Sequence, residues 1–172
     1  MPVILPAFGK TPKIAESAFI AENATIIGDV EIGPDASVWY GAVLRGDCGY
    51  IRVGARSNIQ DLCCIHMTTD TSNSIIGEDV TVGHGVIIHG AVIGDRALIG
   101  MGSILLDNAE IGEEALIAAG TVVPPRMVVP ARSLVRGQPG KVIREVNDKE
   151  RRLGIDGAVS YLEMAREHRR PR

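Results

Sequence analysis

The chain has 172 residues, of which 45% are hydrophobic and 23% are charged, and its formal net charge is −3. This length suits one globular domain, and the acidic balance disfavours a nucleic-acid-binding surface. No apolar run reaches the ~18–20 residues of a membrane span, so we expect no membrane partner. Residues 1–10 lack the basic and apolar regions of a signal peptide, and we expect a cytoplasmic protein.

The composition predicts a core with few aromatic rings. Aromatic residues make up only 3% of the chain, whereas it contains 20 Ile, 17 Val and 20 Gly. Branched aliphatic side chains favour pleated backbone, and glycine favours tight corners. The three cysteines, Cys48, Cys63 and Cys64, predict neither a disulfide framework nor a CxxC metal motif. We interpret Cys63 and Cys64 as small interior or corner residues.

A six-residue period runs through the chain from Ile14 onward. Its first position is a large aliphatic residue, and its fifth position is small in the N-terminal repeats, as at Ala24, Ala36 and Ala42. A period of six fits neither a helix nor a flat strand, but it fits a short strand followed by a corner. Three such segments close one coil, so residues 8–140 are predicted to form a triangular parallel β-helix of about six to seven coils. The first positions include Ile14, Ile20, Ile26, Ile32, Val38 and Leu44, and later Ile93, Ile99, Leu105, Ile111, Ile117, Val123, Val129 and Val135.

The period is interrupted around residues 49–52 and 67–75, and it slips near Val92. Residues 67–74 are polar and contain several turn formers, so they are predicted to form a loop that projects from the prism. Loops on a rigid scaffold often carry function.

The repeat ends after Val135. Residues 136–140 read as a turn, and residues 141–172 are predicted to form a helical segment that packs on the prism. Within it we expect Asp156 to cap a helix over residues 157–168. That helix would present Ala158, Tyr161, Leu162 and Ala165 on one face. His168, near its end, is expected to be solvated.

The other three histidines lie outside the interior aliphatic column. His66 and His89 both occupy the second position of a hexad, so they are predicted to stack on adjacent coils, whereas His84 occupies a third position. Five residues of extended chain separate His84 from His89 by up to roughly 15 Å, so one ion between them is more easily completed by a neighbouring copy. This predicts a metal site between copies in a cyclic trimer. Surface histidines without a ligand, or one histidine as a metal-free general base, are the alternatives.

Four polar residues near these histidines are candidates for the same site. Arg45 and Asp47 are two apart on a strand and face one side, where they pair with each other or across an interface; a surface ion pair is the alternative. Gln60 has both donor and acceptor atoms, so it could orient a metal-bound water. Asp61 could accept the second ring N–H of a ligating histidine. The alternative is that both bond their own corner backbone.

Three motifs together resemble the gamma-class carbonic anhydrases, which are hexapeptide-repeat proteins. They are Arg45-Gly-Asp47, Asn58-x-Gln60-Asp61 with His66 five residues later, and Gly83-His84 with His89 five residues later. The resemblance spans about residues 8–165. It implies a left-handed parallel β-helix with a C-terminal helix, assembled as a homotrimer with Zn2+, or alternatively Fe2+ or Co2+, at each interface.

The resemblance also implies roles for individual residues. His66 and His89 would bind the metal from one subunit and His84 from the next. Arg45 and Asp47 would form the interface pair, and Gln60 would lie beside the metal-bound water. Asp61 would support a ligand or the interface, and Tyr161 matches a C-terminal tyrosine near the site. The implied reaction is the hydration of carbon dioxide to bicarbonate by a zinc-hydroxide.

The chain departs from the family prototype in its proton route. Cys48 stands where the prototype has a glutamate directly after the Arg-Gly-Asp motif, and the short loop before His84 contains only Asp70 as an acid before the hexads resume. This resembles a compact subfamily that includes proteins of phenylacetate or carnitine pathways, some of them reported as thioesterases. Proton release would therefore use solvent, buffer or Asp70.

Three other functions remain open from the sequence. The same metal-hydroxide could hydrolyse an acyl-CoA thioester. A hexapeptide acyltransferase would instead use one histidine as general base without a metal. The trimer could also be a metal-stabilised scaffold without activity. The expected ligands are accordingly carbon dioxide and bicarbonate, or an acyl thioester.

Overall fold

The structure, a computed structural model, describes residues 1–169. Within them the chain forms short strands followed by one long helix. The strands are β1 (Val3–Leu5), β2 (Lys13–Ile14), β3 (Phe19–Ile20), β4 (Thr25–Ile32), β5 (Ser37–Val38), β6 (Val43–Val53), β7 (Asn58–Ile59), β8 (Cys64–His66), β9 (Ser74–Ile76), β10 (Thr81–Val82), β11 (Ile87–His89), β12 (Val92–Ile93), β13 (Leu98–Ile99), β14 (Ile104–Leu105), β15 (Glu110–Ile111), β16 (Leu116–Ile117), β17 (Val122–Val123), β18 (Val128–Val129), β19 (Ser133–Gly137) and β20 (Gly140–Glu145), and the helix is α1 (Asp148–His168).

The strands build three faces of a parallel solenoid. The first face runs β17-β14-β11-β8 to the first half of β6, and the second runs from the last part of β6 through β9-β12-β15-β18. The long strand β6 therefore bends around the corner between the two faces. The third face is a separate sheet in the order β20-β19-β16-β13-β10-β7-β5-β3. All its strands are parallel except β20, and the solenoid has about seven turns.

Strand register confirms where the repeat is interrupted. Phe19 pairs with Ser37, three hexads further along the chain, which is one regular coil. Ser37 pairs with Asn58 and Asn58 with Thr81, so each of these two coils is longer than three hexads. The extra residues are those around 49–52 and 67–75. The next coil, from Thr81 to Leu98, is one residue short, which is the slip near Val92.

The interior is an aliphatic column, as the hexads predict. On the first face, six residues in successive coils are paired in register and are fully buried. Branched side chains that repeat at one pleat position fill the prism without large rings, and Trp39 and Phe19 enter the core only near its first coils. The six residues are Ile26, Leu44, Ile65, Ile88, Leu105 and Val123.

Glycine has a different purpose in this solenoid from the one predicted. Most left-handed corner positions are occupied by other residues, such as Asp79, Arg96 and Glu114, with φ of 56°, 58° and 56°. The recurrent glycines instead lie where successive coils approach. A Cβ on Gly94 would lie 2.8 Å from the backbone nitrogen of Glu113, closer than real contacts allow. Polar residues thus occupy many of the strained, left-handed corner positions, whereas glycine allows the backbones of successive coils to lie close together.

The C-terminal region differs from the prediction at its start. The sequence predicts a helical segment from residue 141, but Gly140–Glu145 is a strand that pairs antiparallel with β19. The helix begins at Asp148 and not near residue 157, because Asn147 and Glu150 form a capping box. Asp156 lies inside the helix rather than at its cap. Residues 170–172 of the predicted helical segment lie outside the described part.

The helix packs on the third face through small residues, which confirms its predicted apolar side. Ala158 and Ala165 are buried, and Tyr161 packs against the core. Gly154 and Gly157 bring the helix close to Thr81, whose hydroxyl donates a hydrogen bond to the Gly154 carbonyl oxygen at 3.2 Å. Within residues 1–169, no helix is both long enough and apolar enough to span a bilayer.

Candidate functional site

Two histidines lie side by side at the end of adjacent strands on the first face. His66 ends β8 and His89 ends β11, and the parallel register pairs the two residues directly. Their ring centroids are 5.5 Å apart. Both side chains point away from the aliphatic interior and are half-buried. The predicted stacking of these two residues is therefore present.

Asp47 connects His66 to Arg45. One Asp47 carboxylate oxygen lies 2.9 Å from Nε2 of His66, and the other accepts a hydrogen bond from Nη1 of Arg45 at 2.6 Å. Partial burial acts to raise the pKa of Asp47, but the hydrogen bonds from Arg45 and His66 outweigh it and lower the pKa to about 2. The carboxylate is therefore ionised at neutral pH and fixes both neighbours within one chain.

Asp107 has the same relation to His89, and the sequence reading missed it. Its Oδ1 lies 3.2 Å from Nδ1 of His89, and the carboxylate also accepts hydrogen bonds from Ser72 and Thr68. Partial burial acts to raise the pKa of Asp107, but these hydrogen bonds outweigh it and lower the pKa below its usual value. The signal was available, because three hexads, the length of one regular coil, separate positions 89 and 107.

His84 lies at the opposite end of the first face. It lies in the turn between β10 and β11, whereas His89 ends β11. Its Nδ1 lies 2.8 Å from a carboxylate oxygen of Asp61, and its Nε2 lies 3.4 Å from the hydroxyl of Tyr161. Burial, followed by the nearby Asp61 carboxylate, raises the pKa of Tyr161, so the phenol stays protonated at neutral pH. Asp61 thus contacts a ring nitrogen of His84.

Gln60 lies on the third face near the same corner. It is only 5% exposed, and its Nε2 donates to Oδ1 of Asn58 at 3.0 Å. Asn58 is itself fully buried and donates to Thr81 beneath the helix. This chain of amides fixes the orientation of the Gln60 side chain. The sequence reading named Gln60 but did not assign Asn58 a role of its own.

The two interruptions of the repeat contact each other beside His66. The backbone N–H of Tyr50, in the first interruption, donates to Oδ1 of Asn73, in the second, at 2.9 Å. Asp70 is exposed at the turn of the second interruption. Together they line a small surface pocket formed by Cys48, Gly49, Tyr50, Asp70, Thr71, Ser72 and Asn73. The predicted loop therefore adjoins the histidine pair.

Packing accounts for Cys63 and His168 but not for Cys64. Cys63 is buried, and burial raises the pKa of its thiol to about 12, so it is an inert interior residue. Cys64 is exposed. His168 is exposed as expected, yet its Nδ1 lies 2.8 Å from the hydroxyl of Tyr40 and its ring lies 5.1 Å from Trp39. It therefore fastens the end of the helix to the first coils.

The donor set fits a divalent metal. Each of His66, His84 and His89 uses one ring nitrogen toward an aspartate. The other nitrogen is left as a lone-pair donor in His66 and His89, whereas in His84 it faces the Tyr161 hydroxyl. Metal-bound histidines characteristically have such a carboxylate behind them. A second group of donors lies within one chain, since ligand atoms of Asp47, Cys48 and His66 all fall within 4.8 Å of one another. Both sets include His66.

Comparison with known proteins agrees with this fold. The family model described as bacterial transferase hexapeptide (six repeats) matches residues 11–46 and 90–125. A proposed acetyltransferase of Bacillus cereus has a solved structure with a TM-score of 0.95 and 44% identity, covering 97% of this chain and 96% of that one. The repeated coils and these matches define a hexapeptide-repeat protein.

The sequence relatives define the family more closely. A carbonic anhydrase of Geobacillus kaustophilus is 51% identical over 149 residues, covering 86% of this chain and 81% of that protein. A probable carbonic anhydrase of Methanocaldococcus jannaschii is 45% identical over 152 residues, covering 88% and 95%. The chain belongs to the gamma-class carbonic anhydrase family. Two mitochondrial gamma carbonic anhydrases of Arabidopsis thaliana also match, and the chain spans only 61% and 62% of their lengths.

Proposed function

We propose that this protein hydrates carbon dioxide to bicarbonate with a divalent metal bound between copies of the chain in a homotrimer. His66 and His89 of one copy and His84 of the next would be the ligands. Zn2+ is our first choice, and Fe2+ or Co2+ the alternatives, because three imidazoles suit several ions. The family membership supports the reaction, and the geometry of the histidines supports the ligand set.

One observation carries the proposal: three Asp–His pairs occur at the two ends of a single face. Asp47 and Asp107 lie behind the adjacent His66 and His89, and Asp61 lies behind His84. An isolated surface histidine has no need of such a partner. Because His84 lies in the turn before β11 and His89 ends that strand, the two residues are at opposite ends of the face, and a second copy is the simpler source of the third ligand.

The bound metal would lower the pKa of a coordinated water, so that a hydroxide nucleophile is available near neutral pH. The protein residues would position the ligands and the substrate. Each aspartate accepts the N–H of one ring nitrogen and so directs the other nitrogen outward. Gln60, fixed by Asn58, would orient carbon dioxide or the nucleophile. The Tyr161 hydroxyl, already beside Nε2 of His84, would donate to oxygen where negative charge develops.

Arg45 and Asp47 would also assemble the site. The Arg45 side chain is 43% exposed in a single chain, while its Asp47 partner is 20% exposed. An arginine fork with free N–H groups at the edge of a face is suited to a second carboxylate on a neighbouring copy. The trimer would therefore both bury this pair and complete the metal site.

Mixed trimers test whether the site is shared between copies. We expect His84→Ala and His89→Ala to lose nearly all bound metal when purified alone. When the two variants are co-expressed with different tags, each mixed trimer contains one interface with all three histidines. Metal analysis should then find one ion in each mixed trimer, with carbon dioxide hydration in proportion. Full metal content in His84→Ala alone, or none in the mixed trimers, would contradict the shared site.

A chelator separates the other functions. Metal-dependent hydrolysis of an acyl thioester would disappear with metal removal, as carbon dioxide hydration would, so both substrates must be assayed on one preparation. An acyltransferase reaction, suggested by the description of the Bacillus cereus relative, would survive metal removal because a histidine base suffices. Bound metal without carbon dioxide hydration or thioester hydrolysis would favour a scaffold. We also propose a reducing location such as the cytoplasm, since the three cysteines are free.

A further inference from the structure

Asp107 joins the histidine pair to the loop that interrupts the repeat. Its Oδ1 contacts Nδ1 of His89 at 3.2 Å and accepts a hydrogen bond from the Ser72 hydroxyl. Its Oδ2 accepts from the Thr68 hydroxyl at 3.0 Å. Three side-chain partners from two separate coils thus converge on one carboxylate that is only 25% exposed. An aspartate whose side chain only faces solvent at a corner does not need this many partners.

The backbone around His89 is built to allow this convergence. Gly90 follows His89 with φ of +70°, and a Cβ at this position would collide with the Ser72 hydroxyl and with Oδ1 of Asp107. Only glycine leaves space for both groups while taking the left-handed conformation. The loop and the carboxylate therefore occupy the volume that a side chain at residue 90 would fill.

Ser74 fastens the end of the same loop to both histidine strands. Its hydroxyl donates to the carbonyl oxygen of His66 at 2.7 Å and accepts from the backbone N–H of Gly90 at 3.1 Å. Ser74 is fully buried. The loop is consequently bonded to the backbone of the histidine pair at one end and to Asp107 near its middle, so its position and that of the rings depend on one another.

We propose that Asp107 is a positioning residue for the site: it fixes His89 with the proton on Nδ1 and Nε2 as the free donor, and it anchors the 68–74 loop over the histidine pair. A carboxylate only accepts hydrogen bonds, so the Nδ1 that faces it must carry the proton. Ser72 and Thr68 donate to the same carboxylate and prevent it from turning away. The ligand part of this inference rests on the proposed function, whereas the tautomer and the loop anchor do not.

Ring-nitrogen NMR of the metal-free, full-length protein tests the tautomer directly. In wild type, His89 should show a protonated Nδ1 and an unprotonated Nε2. In Asp107→Asn the amide can also donate, so we expect this tautomer to lose its preference and the 15N shifts of the two nitrogens to move toward each other. Asp95→Asn is the matched control, because Asp95 also bonds a group in another coil, the Glu78 N–H, but does not contact a histidine.

Titration calorimetry with Zn2+ then tests the consequence for the metal. Removing a carboxylate behind a metal-bound histidine typically costs 10–100-fold in affinity, so we expect a loss of about that size in Asp107→Asn and none in Asp95→Asn. Ser72→Ala, which leaves the carboxylate in place, should lose less affinity but increase cleavage of the loop by a protease. This second variant keeps the test informative if Asp107→Asn folds poorly.

The outcomes separate this inference from the proposed function. An unchanged His89 tautomer in Asp107→Asn would overturn the positioning role, whatever the metal affinity. An altered tautomer with undetectable Zn2+ binding in wild type would retain the positioning role and refute the metal site. An altered tautomer and a loop that resists protease equally in wild type and Ser72→Ala would remove the loop anchor from the inference.

Discussion

The ring of Tyr161 stands edge-on against Trp39, with centroids 5.1 Å apart and an angle of 84° between the rings. Trp39 is buried in the first coils and donates its ring N–H to Ser37 at 2.9 Å, so it is a fixed surface for the helix. The contact determines where the Tyr161 hydroxyl lies, 3.4 Å from Nε2 of His84. The helix therefore packs on the third face and also positions the Tyr161 hydroxyl at the candidate site.

Replacing Tyr161 by phenylalanine should separate these two contributions. The ring of Tyr161→Phe keeps its contact with Trp39, and the half-buried hydroxyl contributes only about 1 kcal/mol to folding, so stability should hardly change. If the hydroxyl donates to developing charge, the rate of carbon dioxide hydration should fall by at least ~10-fold, since removal of one such donor commonly costs 10²–10³. Stopped-flow hydration and urea unfolding measure the two quantities.

Tyr161→Ala is the comparison, because it removes the ring as well. It should lower the free energy of unfolding by about 2 kcal/mol through lost apolar contact and should lower activity further. Equal activity of Tyr161→Phe and wild type would show that the tyrosine only docks the helix.

The fold followed from the sequence because one pattern repeats many times. Each hexad alone is ambiguous, but a branched aliphatic residue at every first position can be buried simultaneously only in a coil of three short strands. Ile65 and Ile88 illustrate this, since they are paired and fully buried although they are distant in the chain. The helix start was harder. Asp156 was chosen as the cap, but it lies inside the helix, and the start is the capping box of Asn147 and Glu150.

The site was predictable only where residue type itself indicates chemistry. Histidines, Arg45, Asp47 and Asp61 could be named because their side chains suit a metal or an ion pair. Asp107 was not named, because an aspartate at a corner of a hexapeptide coil is ordinary. Only its spacing of three hexads from position 89 indicates that it lies beside His89.

The recurrent glycines predict a strong dependence of stability on residue 94. A Cβ in Gly94→Ala would lie 2.8 Å from the Glu113 nitrogen and 3.1 Å from the Ile111 carbonyl oxygen, both in the backbone of the next coil. Neither group yields without separating the coils, so we expect a loss of about 3 kcal/mol, the upper end of the typical range for overpacked sites. Urea unfolding gives the difference from wild type.

Gly102→Ala is the matched control for steric contact. Gly102 has φ of +66° but no atom within 4 Å of the Cβ position. Only the cost of an L-residue in left-handed backbone applies there, about 1–2 kcal/mol. A larger loss at residue 102 than at residue 94 would mean that corner conformation, not coil spacing, is what these glycines provide.

The proton route should make turnover depend on buffer. The residue directly after the Arg45–Asp47 pair is Cys48, and a carboxylate at this position would accept a proton more readily at neutral pH. We expect kcat for hydration to rise with the concentration of imidazole buffer and then to saturate, while kcat/KM stays constant. In Cys48→Glu the dependence should weaken, and Cys48→Ser should behave as wild type. Equal turnover at low and high buffer concentration in wild type would contradict the prediction, because it would mean that the protein has an internal proton shuttle.

The capping box at the start of the helix predicts a defined loss of stability in acid. Arg144 donates two hydrogen bonds of 2.7 Å to the Glu150 carboxylate, and these bonds lower the pKa of Glu150 to about 2. An unfolded glutamate titrates near pH ~4.3, so the ionised carboxylate is favoured in the folded state. Its contribution is therefore fully present above about pH 4.3 and is lost as the pH falls toward 2.

Urea unfolding of wild type and Glu150→Gln across this range should give a difference in free energy that is constant above pH ~5 and vanishes at the acid end. Glu163→Gln, exposed on the same helix, should show no such trend, and a difference for Glu150→Gln that persists unchanged to the lowest pH would mean that charge is not what the cap supplies.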